Sequence, residues 1–289
     1  MCLAAFAINV SSRWPLVLAS NRDEFFDRPA LPLASWQTAE GRTIISGRDA
    51  RAGGTWLGMS PGGRVALLTN VREGIPPAAP RSRGELVMRW LEGADDAHAF
   101  IHPIDGALYG GFNLVLGDVQ SGQWHWWSNR QPGGAHAGPR KLENGVYGLS
   151  NAALDTPWPK TVSLKSALAE ALQSSSHEAL EQVLWNALSQ ENRAPVSDLP
   201  QTGIPHDLEL ALSSARVAVA ERNYGTRCAS LIVLSAPPES AKPSGHSWTA
   251  SFKELTYLSL SAASQSATPD AHTVVCTFTL PAKTVGAAA

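Results

Sequence analysis

The chain has 289 residues, of which 44% are hydrophobic, and its 23 Lys and Arg residues against 25 Asp and Glu residues give a net charge of -2. This composition excludes a disordered chain, which combines few apolar residues with a high net charge. No run of Lys and Arg occurs, so the charge footprint of a nucleic-acid binder is missing and no nucleic-acid partner is expected.

Strands dominate the prediction for the first half of the chain. Residues 2–10 and 16–20 form a hairpin around a turn at 11–15, and a Pro-marked loop follows. A helix is predicted after the Pro-rich loop at 76–80, with Ser82 as its N-cap and Glu85 completing a capping box. Further strands are predicted at 43–46, 55–59, 64–70, 112–119, 123–128 and 145–150.

Two amphipathic helices open the second half. Their apolar residues recur at helical spacing: Leu164, Leu168 and Leu172, then Leu180, Val183, Leu184, Ala187 and Leu188. Residues 231–234 are apolar at every position, which indicates a strand that is covered on both faces. The other predicted elements are strands at 215–220, 228–235, 249–255 and 273–280, loops at 236–246 and 261–271, and a flexible Ala-rich tail. This pattern favours stacked antiparallel sheets with helices outside them.

Cysteine and tryptophan usage narrow the class of protein. Cys2, Cys228 and Cys276 are too few and too scattered for a disulfide framework or a cysteine zinc site. No signal-peptide pattern and no apolar run of about 18 residues occur, which predicts a cytoplasmic protein without a membrane span. The 10 Trp residues indicate either a Trp-rich core or a site for a lipophilic ligand.

Familiar enzyme motifs are missing from the sequence. It contains no phosphate-binding loop, no dinucleotide fingerprint and no HExxH pattern. Residues 148–152 resemble a nucleophile elbow, but Ala152 stands where the second Gly belongs. His98 and His102 have the spacing of metal ligands on a helix, yet no second-shell carboxylate is evident, so two solvated histidines are expected. His125, between two Trp residues, is expected to pack in the core.

The sharpest chemical signal is Cys2. Removal of the initiator Met is usual when a small residue follows, and it would leave a cysteine that carries both a thiol and a free α-amine. An α-amine has a pKa of about 7.7–8.0, so part of it is neutral at pH 7 and accepts the thiol proton. Cys2 is therefore predicted to be an N-terminal nucleophile.

A series of short motifs accompanies Cys2. In chain order they lie at 21–24 (Asn-Arg-Asp-Glu), 47–49, 53–58 (Gly-Gly-Thr-Trp-Leu-Gly), 69–70, 111–114, 147–151, 154–155, 157–160 (Pro-Trp-Pro-Lys), 202–205 and 224–227. With these motifs the chain resembles the NRDE family, also called the transport and Golgi organization family, over residues 1–258. The whole chain, 1–289, is expected to form one domain of this family.

The resemblance implies an α+β fold like that of the N-terminal nucleophile hydrolases, a four-layer αββα sandwich of two antiparallel sheets. The cysteine branch of those hydrolases is the functional model. It implies Cys2 as the nucleophile, Asp23 as the residue that orients its amine, Asn70 and Asn151 as holders of the oxyanion, and Arg227 as a late arginine of the site. Hydrolysis of an amide or similar acyl bond by this set requires no cofactor.

Arg22 departs from the hydrolase pattern. The hydrolases place their arginine three residues before the aspartate, whereas Arg22 directly precedes Asp23. Neighbours on a strand point to opposite faces, so Arg22 and Asp23 are not expected to share one pocket. Arg22 is kept as a candidate site residue beside the alternative that residues 22–24 form a charged turn.

The family resemblance also implies a function other than hydrolysis. Members of the family are linked to haem trafficking and to lipid or acyl-CoA handling, so the alternative is a non-catalytic carrier that uses the same pocket. The iron of haem usually takes an axial His, Cys, Met or Tyr ligand. Because none of the family motifs above contains a His, Cys2 would be the ligand. Either way the partner is a small molecule: an amide or acyl substrate, haem or an acyl-CoA. A purely structural role is the third possibility.

Overall fold

The computed structural model describes residues 2–74, 78–131, 137–236, 246–258 and 270–280, except the side chains of 246–247, 270–271 and 276–280. The predicted loops 236–246 and 261–271 lie largely outside the described residues, and the predicted flexible tail lies wholly outside them. Among the described residues, no helix is both long and apolar enough to cross a membrane.

Two antiparallel sheets of seven strands each are formed by the described residues. The first has the order β10-β1-β2-β12-β13-β14, with β11 beside β12, and its strands are β1 (Cys2–Ile8), β2 (Leu16–Phe25), β10 (Gly145–Leu149), β11 (Ala218–Val219), β12 (Tyr224–Ser235), β13 (His246–Thr256) and β14 (Asp270–Leu280). The second follows chain order, with β3 (Ala30–Gln37), β4 (Thr43–Asp49), β5 (Leu57–Met59), β6 (Arg64–Asn70), β7 (Phe112–Asp118), β8 (Gln123–Ser128) and β9 (Arg140–Lys141).

Helices cover the outer face of each sheet. Apolar side chains of α3 (Pro159–Ala171) and α4 (His177–Leu188) join those of β1, β2 and β12 in one buried cluster. Those of α1 (Gly84–Glu92) and α2 (Ala97–Ile101) join side chains of β4, β6, β7 and β8 in another. The remaining α-helix is α5 (His206–Ala211), at the end of the first sheet.

A third cluster fills the space between the sheets. Phe6 and Leu18 of the first sheet belong to it, as do Leu57 and Val115 of the second. Along β1, alternate residues face this inter-sheet core and the helices, as strand geometry requires. The four-layer αββα arrangement implied by the resemblance is thus confirmed. Residues 231–234 are covered on both faces, as predicted.

Several sequence predictions need correction. Residues 21–24 do not follow the second strand but belong to it, because β2 is paired with β1 on one side and β12 on the other. The Pro-marked loop contains β3, which pairs with β4. Of the predicted strand 215–220, only Ala218–Val219 forms ladder pairs. Ser82 is not the N-cap: α1 begins at Gly84, so Arg83 occupies that position and makes no side-chain cap, and Glu85 pairs with Arg81 instead of completing a capping box.

Candidate active site

Cys2 begins β1 and lies at the mouth of a polar cavity. In the antiparallel register it stands opposite Arg22 of β2. Its side chain is 7% exposed and lines a cavity of about 120 Å³. Trp56 from the start of β5 and Leu68 and Asn70 from β6 form the wall that belongs to the second sheet. The site therefore lies where the two sheets meet.

Arg22 shares the inter-sheet side with Cys2. Its guanidinium carbon stacks 4.4 Å from the ring centre of Trp56, a member of the inter-sheet core. Asp23, the next residue, is only 1% exposed and accepts a 2.7 Å hydrogen bond from the hydroxyl of Thr226 on β12. The predicted alternation of side chains is seen. Both residues nevertheless line the Cys2 cavity, because it opens at the end of the strands, so the expectation that they do not share a pocket was wrong.

Charged side chains surround the cavity in ion pairs. A nitrogen of Arg22 lies 3.7 Å from carboxylate oxygens of both Glu24 and Asp49. Arg28 donates to Asp49 at 2.7 Å. Arg83, at the start of α1, lines the cavity too and donates to the carbonyl of Gly111 at 3.0 Å. The cavity therefore suits a polar ligand group.

The electrostatics of Cys2 favour the protonated thiol at rest. Burial raises the pKa of the thiol, and this is the largest influence; the positive charge of the chain N-terminus and that of Arg22 lower it, whereas the carboxylates of Asp23 and Glu24 raise it. A thiol of raised pKa is a weak nucleophile until a base removes its proton. Cys228 is buried, and burial raises the pKa of its thiol well above the usual range, whereas the side chain of Cys276 lies outside the described residues.

Asn70 and Asn151 are brought together beside this site. Asn70 lines the cavity, and among the described residues its amide nitrogen has one acceptor, the carbonyl of Val71 at 3.5 Å. The amide nitrogen of the buried Asn151 donates at 3.0 Å to both the carbonyl and the side-chain oxygen of Asn70. In this arrangement Asn70 faces the cavity and Asn151 holds its side chain in place. Direct donation from Asn151 to an oxyanion stays a prediction.

Arg227 does not line the Cys2 cavity, although it borders a small neighbouring cavity together with Arg22 and Trp56. It donates at 2.9 Å to the carbonyls of Phe25 and Arg28 and stacks on Phe26. A β-bulge follows Thr226 in the β2–β12 ladder, and Arg227 lines a separate small cavity of about 20 Å³. The cavity lining therefore gives no support to its predicted role as a late arginine of the site, which stays a prediction. Arg83, which the sequence analysis did not single out, contributes the guanidinium there.

A buried charged cluster on the helix side of the strands was also missed. Lys160, in the first turn of α3, is 5% exposed, and no hydrogen-bond partner of its amine is found among the described residues. Burial lowers its pKa from 10.5 to about 8, against the opposing effect of Asp23. Arg72 forms a buried ion pair with Glu209 of α5 nearby. The only sequence signal was the Pro-Trp-Pro-Lys motif at 157–160.

The cavity does not fit haem. Its lining contains no His, Met or Tyr among the described residues, so Cys2 is the single potential axial ligand there. Its volume of about 120 Å³ is below the roughly 300–1,000 Å³ of typical ligand pockets. Trp56 is the one Trp of the lining, whereas six of the ten Trp are buried, so a Trp-rich core explains the composition.

The histidines do not form a metal site within the part of the chain that the structure describes. His98 and His102 are exposed, as predicted. His125 is only partly buried and stacks edge-on against His98, so the expected core position was wrong. Within the described ranges, no group of three or more His, Cys, Asp or Glu side chains is arranged to hold a metal ion.

The fold and the site together define an αββα protein whose first strand begins with a cysteine at a polar cavity. The family model of Transport and Golgi organisation 2 matches residues 1–240. The Transport and Golgi organization 2 homolog of Mus musculus is 32% identical over 252 residues, covering 82% of this chain and 89% of the mouse protein. The chain therefore belongs to the Transport and Golgi organisation 2 family, as the motifs indicated.

More distant relatives and solved structures were also found. The Transport and Golgi organization protein 2 of Drosophila melanogaster is 30% identical, covering 81% of this chain and 88% of the fly protein. A Caenorhabditis elegans N-acylethanolamine-hydrolyzing acid amidase ortholog matches with 12% identity and a TM-score of 0.46, covering 80% of this chain and 92% of that one. A conjugated bile acid hydrolase from Clostridium perfringens matches with 8% identity and a TM-score of 0.47, covering 99% and 100%. The family assignment rests on the sequence matches.

Proposed function

We propose that this protein hydrolyses an amide or similar acyl bond with Cys2 as its nucleophile. The observation that carries the proposal is the position of Cys2, at the first residue of β1, with its side chain on a polar cavity beside Asn70. A nucleophile at a chain start brings its own base, the α-amine, once the initiator Met is removed.

The proposed reaction has two halves. The α-amine of processed Cys2 takes the thiol proton, and the thiolate attacks the carbonyl carbon to form a tetrahedral intermediate. The side-chain amide of Asn70 donates to the oxyanion, while Asn151 keeps Asn70 in position. The protonated α-amine, oriented by Asp23, passes its proton to the leaving group. Water then attacks the thioester, which releases the acid and restores the thiol.

The carrier alternative has less support. A haem or acyl-CoA carrier would need a larger, more apolar cavity next to Cys2 than the one of about 120 Å³ that charged side chains line. No observation on the described residues favours it over the enzyme. It is kept as the competing outcome of the experiments below.

Intact mass and cysteine mapping test the proposal. Met1 should be absent from the purified protein, and brief treatment with iodoacetamide should label Cys2 before Cys228 and Cys276. Cys228 supplies the matched comparison, because it is also buried and its thiol pKa is raised well above the usual range by burial. Retained Met1, equal labelling of all three cysteines, or protection of Cys2 alone would refute the proposed nucleophile.

A further inference from the structure

Arg83 differs from the other two arginines of the Cys2 cavity. Arg22 and Arg28 each lie within 4 Å of carboxylate oxygens of Glu24 and Asp49. Within the described part of the chain, Arg83 has no carboxylate within that distance, and the carbonyl of Gly111 is its one hydrogen-bond acceptor. A guanidinium has five N–H donors, so most of those of Arg83 have no acceptor among the described residues.

Little negative charge lies close enough to Arg83 to balance the positive charge of its guanidinium. Burial lowers its pKa, and the strongest opposing influence is the negative charge that Cys2 carries when ionised, ahead of Glu24. Arg83 directly precedes α1, and the first residue of that helix, Gly84, lines the same cavity. The N-terminus of a helix adds partial positive charge to that of the side chain.

Bare backbone forms the wall beside Arg83. A Cβ atom placed on Gly54 would lie 2.6 Å from the carbonyl carbon of Gly84, so the two backbones are in direct contact and only glycine fits at position 54. Both glycines line the cavity. No side chain therefore projects into the cavity from these two positions beside Arg83.

We propose that Arg83 binds an anionic group of the substrate, so that the site acts on amides or acyl compounds that carry a carboxylate near the scissile carbonyl. A planar guanidinium matches a carboxylate through two parallel hydrogen bonds, which gives both affinity and orientation. The small cavity restricts the acid to a short one. The identity of the scissile bond rests on the proposed function, whereas the anion site does not.

Two alkylating reagents that differ by one carboxylate test this proposal. Iodoacetate and iodoacetamide react with the same thiol, and the ratio of their rates at Cys2 cancels any change in the thiol pKa. In Arg83→Met the iodoacetate-to-iodoacetamide ratio should fall about tenfold, the effect of one lost charge-assisted hydrogen bond. Arg81→Met is the matched control, because Arg81 lies two residues away, is exposed and pairs with Glu85 outside the cavity; its ratio should match wild type.

A merely structural Arg83 gives a different result. If it only anchors Gly111, Arg83→Met changes both rates by the same factor, and an unchanged ratio overturns the anion site. Wild type supplies a second measurement that needs no variant to fold: succinate should slow the alkylation of Cys2 by iodoacetamide, and succinamide should not. Equal protection by the two also overturns the proposal. Retained Met1 refutes the enzyme but leaves the ratio measurable, whereas an unchanged ratio at a processed, reactive Cys2 refutes only the anion site.

Discussion

Two clusters of charged side chains lie on opposite faces of the first sheet, where β1 begins and β2 ends. One lines an open cavity, and the other is buried. The cavity cluster, formed by Arg22, Glu24, Arg28, Asp49 and Arg83, lines an open cleft at the sheet–sheet boundary. The buried cluster, formed by Asp23, Arg72, Lys160 and Glu209, lies against α3 and α5, and each of these four side chains is less than a tenth exposed. The side chains of the adjacent residues Arg22 and Asp23 point to opposite faces, so each belongs to a different cluster, although both residues line the cavity.

The difference shows what each cluster can do. Apart from the buried Arg22, the charges of the cavity cluster are partly exposed, so they can exchange ion-pair partners for a ligand. Charges in the buried cluster are removed from water, so each unpaired charge costs folding free energy and responds to pH. We therefore expect substitutions in the buried cluster to act on stability and substitutions at the cavity to act on activity.

The largest stability effect is expected at the buried Arg72–Glu209 pair. Arg72→Met removes one partner of a buried ion pair and leaves the Glu209 carboxylate uncompensated, which should cost about 3–5 kcal/mol in urea unfolding. The matched control is Arg216→Met, since Arg216 pairs at 2.8 Å with the exposed Glu191 and such surface pairs contribute roughly 0–1 kcal/mol. Equal costs for the two variants would contradict the distinction between buried and exposed charge.

On the cavity side, Asn151→Ala should lower any acyl hydrolysis by roughly 10²–10³-fold while circular dichroism stays unchanged. The variant releases the side chain of Asn70, which then no longer meets the oxyanion. If Asn151 works through Asn70, the double variant with Asn70→Ala should lose no more activity than Asn70→Ala alone. Multiplied losses would show that Asn151 donates independently, and an unchanged rate would remove it from the mechanism.

Lys160 should make stability depend on pH. Its pKa falls from 10.5 to about 8 on folding, so between these values the unfolded chain binds more protons and stability rises with pH. Below about pH 8 the amine is protonated in both the folded and the unfolded state, and burial of the ammonium lowers the free energy of unfolding by its full amount. We expect Lys160→Met to be more stable than wild type at pH 7. This difference in the free energy of unfolding should be about 3 kcal/mol smaller at pH 10.5.

Urea unfolding at both pH values measures this difference. Lys165→Met, on the same helix, is the control, because the amine of Lys165 is partly exposed and donates to Asp155 at 2.6 Å. If the free energy of unfolding changes by the same amount between the two pH values in wild type and in Lys160→Met, the ammonium of Lys160 is not destabilised in the folded protein.

The sequence predicted those parts of the fold that periodicity controls. Strands 64–70 and 123–128 have the predicted bounds, and α3 and α4 follow from apolar residues at helical spacing. β3 was missed because its one proline, Pro32, and its exposed residues are tolerated in the edge strand of a sheet. The end of β2 was missed because buried charges such as Asp23 are typical of strands only where tertiary partners surround them.

The sequence predicted which residues belong to the site but not how they are arranged in space. Motifs identified Cys2, Asp23, Asn70 and Asn151, and the structure brings Cys2, Asp23 and Asn70 to one cavity. Local sequence could not show that a β-bulge carries Arg227 away from the cavity or that Arg83 reaches it from α1, because both depend on long-range packing. Lys160 likewise became visible only through its burial.

Cys2→Ser tests the central claim most directly, with turnover on an amide panel and titrations of haem and acyl-CoA measured on wild type and variant. If Cys2 is the nucleophile, wild type turns over and the variant does not, because a hydroxyl yields far less reactive anion near pH 7 than a thiol of pKa about 8.5. Absent turnover in wild type, with haem or acyl-CoA bound by both proteins within a few-fold, would contradict the enzyme and establish the carrier.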